Sequence, residues 1–245
     1  MSNTRRLRLF DALRGFSVIS MVLFHMTYDL VFLRGMQLPF FEPPYRDVWR
    51  ASISWTFLLI AGIMCSFSRD NFRRSLKYGA VAFAIFLATT VAAVDTPINF
   101  GIIFCMAGST FVAALLQKAG VFGRHDRVKV VVFVILFLLT LNLQSGWVGI
   151  GGLRIAVPTQ LYSTPWFSWL GLPGPMFASG DYYPLVPYSL LYLAGAHFAS
   201  YVQSHGGFPQ WCQDVGCKPL ELVGSYALPI YVLHQPLILL ALGLV

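Results

Sequence analysis

Four ionisable side chains occur in an otherwise apolar segment, DALRGFSVISMVLFHMTYDL at residues 11–30. They are Asp11, Arg14, His25 and Asp29. Because an α-helix turns about 100° per residue, Arg14 and His25 fall on one face, and both carboxylates fall about 60° to the same side of Arg14. Ionisable residues inside a membrane normally face the bundle interior or a hydrated cavity, where they indicate a functional site. We call these four residues the polar stripe.

His25 is the member of the polar stripe best suited to acid–base chemistry. Asp29 follows it at i+4, so its carboxylate could hold one imidazole tautomer and stabilise the protonated ring, as a general base requires. A structural interpretation is also open, since a buried histidine can simply hydrogen-bond a neighbouring helix. Asp11 and Arg14, at i and i+3, can likewise form an ion pair that anchors the end of the helix.

A second buried histidine, His234, is predicted in the C-terminal segment SYALPIYVLHQPLILL. It lies about 18 Å into the last apolar helix, and His25 lies about 16 Å beyond Arg14, so the two imidazoles are expected at similar depth. Pro236 leaves a carbonyl of the preceding turn without its usual partner. His234 could therefore take part in chemistry or could cap that carbonyl, with Gln235 as an accessory residue.

Composition indicates the kind of element that carries these residues. The chain has 245 residues, of which 57% are hydrophobic and only 11% are charged, and its mean hydropathy is +0.67. This balance predicts an all-α integral membrane protein, because a spanning helix needs about 20 mostly apolar residues. About seven segments meet that requirement. They are residues 12–33, 48–67, 78–94, 98–117, 128–148, 184–203 and 222–243.

The positions of Lys and Arg predict the orientation, since short loops rich in these residues stay in the cytoplasm. The basic N-terminus, which includes Arg5, is then cytoplasmic and the C-terminus is extracytoplasmic. The bias also accounts for the net charge of +7, so no nucleic-acid partner is predicted. The second inner segment contains four of the basic residues: Arg69, Arg73, Arg74 and Lys77.

A single transmembrane domain covering residues 1–245 is predicted, with residues 149–183 as an extracytoplasmic cap whose prolines exclude a regular spanning helix. On the same side, Asn99 and Asp181 could bind a hydroxyl or amine acceptor, although Asn and Asp at these positions commonly cap helices. His205, Cys212 and Cys217 match no common zinc spacing, so no metal site is predicted.

Four segments taken together resemble the catalytic-domain family of heparan-α-glucosaminide N-acetyltransferase in a compact bacterial form. They are DALRGFSVISMVLFHMTYDL, INFGIIFCMAGS, DYYPLVPYSLLYLAGAHFA and LELVGSYALPIYVLHQPLI. The first is also similar to the opening helix of integral-membrane O-acyltransferases that modify bacterial surface sugars. The resemblance implies transfer of an acyl group, usually acetyl, from cytoplasmic acyl-CoA to an extracytoplasmic glycan or small acceptor. It also implies a bacterial cytoplasmic membrane.

The resemblance assigns roles by position. Arg14 would lie near the CoA entrance and His25 near the reacting carbonyl, with Asp29 as the orienting partner of His25 and His234 facing both. We expect Arg14 to bind the CoA phosphates together with some of the basic residues of the second inner segment. The chain departs from the family pattern in lacking a histidine at residues 34–47 and in carrying Phe104 where compact relatives often have histidine.

Two other classes of function are compatible with the polar stripe. A small proton- or anion-coupled transporter could use Asp11, Arg14, His25, Asp29 and His234 as an ion path. A noncatalytic membrane partner is the other class, which the number of buried charges disfavours. The absence of a sequence repeat argues modestly against a transporter, since many transporters contain internal repeats. Membrane lipids are expected contacts, and the sequence leaves homo-oligomerisation open.

Overall fold

The computed structural model describes residues 6–244, so that Arg5 lies outside the described residues, and it is predominantly helical. The first helix is α1, Arg8–Tyr28, which continues as a π-helical turn over Asp29–Leu33. The remaining helices are α2 Tyr45–Cys65, α3 Asn71–Ala92, α4 Ile102–Lys118, α5 Asp126–Thr140, α6 Leu185–Ser204, α7 Trp211–Asp214, α8 Lys218–Ser225 and α9 Ala227–Ala241.

The helix content confirms the predicted mainly α-helical class, and long apolar helices indicate a membrane protein. Within residues 6–244, four helical segments are long and apolar enough to cross a membrane: Arg8–Leu33, Tyr45–Cys65, Asn71–Ala92 and Asp126–Ser145. Helices α8 and α9 bend by 81° and make a fifth candidate if they count as one span. Helix α4 is apolar but shorter. The count of seven spans and the orientation of the termini stay predictions.

Helix α3 begins earlier than the hydrophobic pattern predicts. Asp70 caps it by accepting a hydrogen bond from the Arg73 amide at 2.9 Å, as acidic N-cap residues commonly do. The basic residues Arg73, Arg74 and Lys77 therefore lie in the first two turns of α3 and not in a loop. The helix starts before its apolar stretch because capping, and not hydrophobicity, decides where a helix begins.

The cap contains a small β-hairpin that the all-α prediction did not include. Strand β1, Trp147–Ile150, pairs antiparallel with β2, Leu153–Ala156. Short 3₁₀ turns follow at Thr159–Tyr162 and Pro165–Leu170. Tyr182 donates a hydrogen bond to the Ser168 carbonyl at 2.5 Å, and burial raises the pKa of this tyrosine. The hydroxyl therefore stays protonated and keeps donating at neutral pH.

The chain divides into two compact units, Met1–Phe57 with Gly207–Val245, and Leu58–Gly206. In the first unit, α1 crosses α8 at two glycines. A Cβ atom on Gly15 would lie 1.9 Å from the Leu220 carbonyl oxygen, and one on Gly224 would lie 2.0 Å from the Asp11 carbonyl oxygen. Only glycine permits such an approach of the two backbones.

The second unit uses the same device between the C-terminal half of α2 and α6. A Cβ atom on Gly62 would lie 2.0 Å from the carbonyl oxygen of Tyr192. Helices α4 and α6 are joined by a 2.8 Å hydrogen bond between the hydroxyls of Thr110 and Tyr192. Small residues and interhelical hydrogen bonds are the usual means of packing helices in a membrane, where lipid removes the hydrophobic drive.

Candidate active site

The structure brings the two predicted histidines of the first unit together. His25 on α1 and His234 on α9 have ring centroids 4.9 Å apart, with an angle of 60° between the ring planes. His25 also makes a T-shaped contact with the neighbouring Phe24 ring, with ring centroids 5.8 Å apart. Residues separated by most of the chain therefore form one imidazole pair.

The hydrogen bond of His234 indicates which ring nitrogen carries the proton. Its Nδ1 lies 2.7 Å from the Tyr231 carbonyl oxygen and must donate to it. In the neutral ring, Nε2 is then an acceptor with a lone pair. This atom is buried and has no hydrogen-bond partner, and the residue as a whole is 8% exposed. A buried base nitrogen without a partner can accept a proton from a bound substrate.

Pro236 does not interrupt α9, although the missing proline amide was expected to leave a carbonyl of the preceding turn unpaired. Helix α9 continues through Pro236, and the break in the C-terminal span falls earlier, between α8 and α9. The carbonyl that His234 caps is that of Tyr231, one residue before the carbonyl that the missing Pro236 amide would leave free. Capping and chemistry are therefore compatible, because the two ring nitrogens serve different partners.

Asp29 lies beside the imidazole pair and is fully buried. Both of its carboxylate oxygens accept hydrogen bonds from Gln235 Nε2, at 3.1 and 2.9 Å. The side-chain oxygen of Gln235, Oε1, is buried without a hydrogen-bond partner, as His234 Nε2 is. Asp29 also begins the π-helical turn, a distortion that is frequent at functional sites. The predicted role of Asp29 in orienting His25 stays a prediction.

The N-terminal end of the polar stripe, Asp11 and Arg14, is part of an ion-pair cluster. Asp11 is buried and pairs with both Arg6 and Arg14. Arg14 also donates from Nε to the Gly224 carbonyl at 2.7 Å. These contacts join α1 to the end of α8 and agree with the anchoring interpretation of Asp11 and Arg14. The predicted contact of Arg14 with CoA is untested.

The other predicted donor-binding residues belong to the second unit. Arg69, Arg73 and Lys77 are exposed, which suits binding of an anionic group from water. Arg74 is held differently, since its Nε donates to the Tyr78 hydroxyl at 3.1 Å and its guanidinium lies 5.4 Å from the centre of that ring. The three exposed side chains are therefore the better candidates for phosphate contacts.

Asn99 and Asp181 are brought together through Ser179, also within the second unit. The backbone amide of Asn99 donates to the Ser179 hydroxyl at 2.9 Å, and that hydroxyl donates to the backbone carbonyl of Asn99 at 2.7 Å. Asp181 accepts from the Ile102 amide at 3.1 Å and so caps α4. The capping interpretation is confirmed for Asp181, although the helix it caps is not the one that follows it in sequence.

The sequence interpretation missed a further buried histidine, His197 of α6. Its Nδ1 lies 2.7 Å from the Asp126 carboxylate, and its ring stacks between Phe122 and Phe133 at 4.4 and 5.5 Å. Its Nε2 is buried without a hydrogen-bond partner. The only sequence signal was a lone histidine among small residues, LAGAHFA, because Asp126 lies in a basic segment far away in the chain.

Within the part of the chain that the structure describes, no group of three or more His, Cys, Asp or Glu side chains could hold a metal ion. Neither a curated protein nor a solved structure matches the chain. One family model does match, that of the catalytic region of heparan-α-glucosaminide N-acetyltransferase, over residues 6–236. The match includes all the predicted site residues and nearly the whole chain. The chain therefore belongs to the heparan-α-glucosaminide N-acetyltransferase catalytic-domain family, a family of membrane acetyltransferases.

Proposed function

We propose that this protein transfers an acetyl group from cytoplasmic acetyl-CoA to a hydroxyl or amine of an extracytoplasmic, sugar-like acceptor, and that the His25–His234 pair performs the chemistry. Family membership supports the acetyl transfer. The observation that carries the assignment of the site is the buried Nε2 of His234, a base nitrogen that lacks a partner and lies beside a second imidazole. Such a nitrogen can accept a hydrogen bond from an acceptor amine or hydroxyl.

In the direct form of the reaction, His234 Nε2 removes the proton of the acceptor as its nitrogen or oxygen attacks the thioester carbonyl. The new C–N or C–O bond forms, the C–S bond breaks, and CoA leaves as a thiolate that takes up the proton. In the two-step form, a ring nitrogen of His25 attacks the thioester, the C–S bond breaks and CoA leaves as a thiolate. The acceptor then attacks acetyl-His25 as His234 removes its proton, and the bond between acetyl and imidazole breaks to restore His25. Trapping of acetyl on the protein without acceptor separates the two forms.

The remaining predicted residues have supporting roles in this proposal. Asp29 accepts hydrogen bonds from Gln235 next to the imidazole pair, and these bonds fix the register of α1 against α9. Arg69, Arg73 and Lys77 contact phosphates of the donor, since guanidinium groups bind phosphate through paired hydrogen bonds and the lysine ammonium binds it as a point charge. Asn99 and Asp181 remain proposed acceptor contacts. We retain the proposed topology of seven spans with a cytoplasmic N-terminus.

The direct experiment measures acetyl transfer from labelled acetyl-CoA by the purified protein in a lipid nanodisc. We compare the wild type with His25→Ala and His234→Gln, and use His205→Gln as the matched control because His205 is exposed and lies outside the site. We expect both site variants to lose transfer and the control to keep it. Undiminished transfer in His25→Ala and His234→Gln would remove the pair from the mechanism.

Binding of the donor is tested separately by thermal unfolding with increasing acetyl-CoA. A ligand that binds the folded state raises the unfolding midpoint by mass action. A flat response at millimolar acetyl-CoA, together with absent transfer, would contradict the enzyme proposal and favour the transporter alternative. Free CoA as a second ligand shows whether binding depends on the phosphates or on the thioester.

A further inference from the structure

The β-hairpin of the second unit has one purely aliphatic face. Residues that pair directly across an antiparallel ladder lie on the same face, and successive residues of a strand alternate between faces. One face of the hairpin therefore holds only the side chains of Val148, Ile150, Leu153 and Ile155. Three of them are well exposed, at 54% for Ile150, 69% for Leu153 and 60% for Ile155. Contact of such a face with water is unfavourable, so it calls for an apolar partner.

The opposite face carries the aromatic and charged groups of the hairpin. It includes Trp147 and Arg154, and the Arg154 guanidinium lies 4.6 Å from the centre of the Trp147 ring. Arg154 Nε also donates to the Gly151 carbonyl at 3.2 Å. Arg154 is the only charged residue between Lys129 and Asp181. The hairpin is therefore amphipathic, and the one cation of a long uncharged segment lies on its polar face.

The helix before the hairpin places it at the boundary of the bilayer. The candidate span Asp126–Ser145 has 20 residues, a length of about 30 Å, which matches the thickness of the hydrocarbon core. Strand β1 begins two residues later, at Trp147, and two residues reach at most about 7 Å. The headgroup layer is about 5–7 Å thick, so β1 starts within it. Tryptophan is a residue type that concentrates at this level.

Phospholipid is the partner that fits both faces. Very little of the apolar stretch of the preceding span is buried, and exposed side chains such as Val131 and Ile135 lie along it, so this helix contacts acyl chains. The aliphatic face of the hairpin is the next apolar surface along the chain. An acidic protein would suit Arg154 but not the aliphatic face, whereas a phospholipid supplies both acyl chains and a phosphate.

We propose that the hairpin is an interfacial anchor, which lies along the membrane surface with its aliphatic face against the acyl chains and the Arg154 guanidinium among the lipid phosphates. In this position the aliphatic side chains leave water, and the N–H groups of the guanidinium gain charge-assisted hydrogen bonds. The anchor holds the cap at the membrane surface. It is independent of the proposed acetyl transfer.

The test measures the depth of two neighbouring positions of β2 with an attached nitrobenzoxadiazole fluorophore in nanodiscs. Ile155→Cys places the label on the aliphatic face, and Ala156→Cys, the matched control, places it on the opposite face of the same strand. Both residues are exposed. Of the four cysteines only Cys217 is exposed, so both variants also carry Cys217→Ser. Leu153→Cys serves as a second position on the aliphatic face.

Three quenchers report the surroundings of each label: a nitroxide on the acyl chain of phosphatidylcholine, a nitroxide on its headgroup, and iodide in the water. The apolar face of an interfacial amphipathic element lies about 5–10 Å below the headgroups. We expect the acyl-chain nitroxide to quench the labels of Ile155→Cys and Leu153→Cys at least about twofold more than the label of Ala156→Cys. The headgroup nitroxide and iodide should show the reverse order.

Three results would overturn the anchor. Quenching of all labels by iodide, with no effect of either nitroxide, would place the hairpin in water. Protection of the Ile155→Cys label from all three quenchers would show that protein, such as a second copy of this chain, covers the aliphatic face. Equal quenching of both faces by the acyl-chain nitroxide would show that the hairpin has no side at the headgroups. None of these measurements requires acetyl transfer, so their failure leaves the proposed function untouched.

Discussion

Two buried histidines of this chain differ in what surrounds them. His197, in the second unit, is fully buried, pairs with Asp126 through Nδ1 and is stacked between two phenylalanines. His234, in the first unit, donates from Nδ1 to a backbone carbonyl, faces another imidazole and borders an open apolar groove. In both, Nε2 is buried without a hydrogen-bond partner.

The contrast shows that a buried histidine with an open nitrogen is not by itself a reactive site. The carboxylate and the two aromatic faces at His197 favour one fixed ring and tie the start of α5 to α6, whereas His234 faces a second imidazole. We therefore interpret His197–Asp126 as a structural pair and His25–His234 as the chemical one. The following predictions test that division.

The largest effect is expected from His234→Gln. Glutamine keeps polarity and similar size but cannot act as a base, and general base catalysis contributes about 10²–10⁴-fold to the rate. Acetyl transfer should fall by that factor while the unfolding midpoint stays near the wild-type value. A rate within threefold of wild type, measured on the same amount of folded protein, would show that the proton is removed elsewhere.

Asp126→Ala should give the opposite pattern. The substitution removes the carboxylate that accepts the hydrogen bond of His197 Nδ1, and losing a hydrogen bond to a charged group costs about 1.5–3 kcal/mol. Thermal unfolding in detergent should report this loss, while transfer per folded molecule stays close to normal. If transfer disappears and the unfolding midpoint does not move, His197–Asp126 belongs to the chemical machinery and the division fails.

Gly15→Ala should weaken the helix crossing that supports the imidazole pair. The added Cβ would meet the Leu220 carbonyl oxygen at 1.9 Å, and forced overpacking costs about 1–3 kcal/mol. Gly79→Ala in α3 is the control, because its Cβ would meet nothing within 4 Å. There the change should stabilise by about 0.5–1 kcal/mol, the helix preference of alanine over glycine. Equal unfolding midpoints for the two variants would contradict the close crossing.

Asp29→Asn should have the smallest effect. Gln235 can rotate its amide and still hydrogen-bond the asparagine, so only the charge-assisted part of the interaction is lost, about 1.5 kcal/mol or roughly tenfold. We expect kcat to fall by that factor with little change in KM for acetyl-CoA, as suits a residue that positions the imidazole pair. A larger fall than that of His234→Gln would give Asp29 a direct role in proton transfer.

Part of the architecture follows from local sequence alone. Each predicted apolar segment contains a helix, because hydrophobic runs and helical periodicity act over neighbouring residues. The placement of Arg14 and His25 on one helical face likewise needs only the geometry of α1. Helix starts and breaks were predicted less well, as the earlier start of α3 and the bend at Tyr226 show, since caps and packing decide them.

Pairings between distant segments were decided only by the tertiary structure. Sequence placed His25 and His234 at similar depth, but the facing of their rings depends on how α1 and α9 pack. The bond from Gln235 to Asp29 and the pairing of His197 with Asp126 had no local signal, because each joins residues far apart in the chain. Hydrophobic patterning determined which residues lie in the helices of this protein, and the packing of α1 against α9 and of α5 against α6 determined which of their polar groups meet.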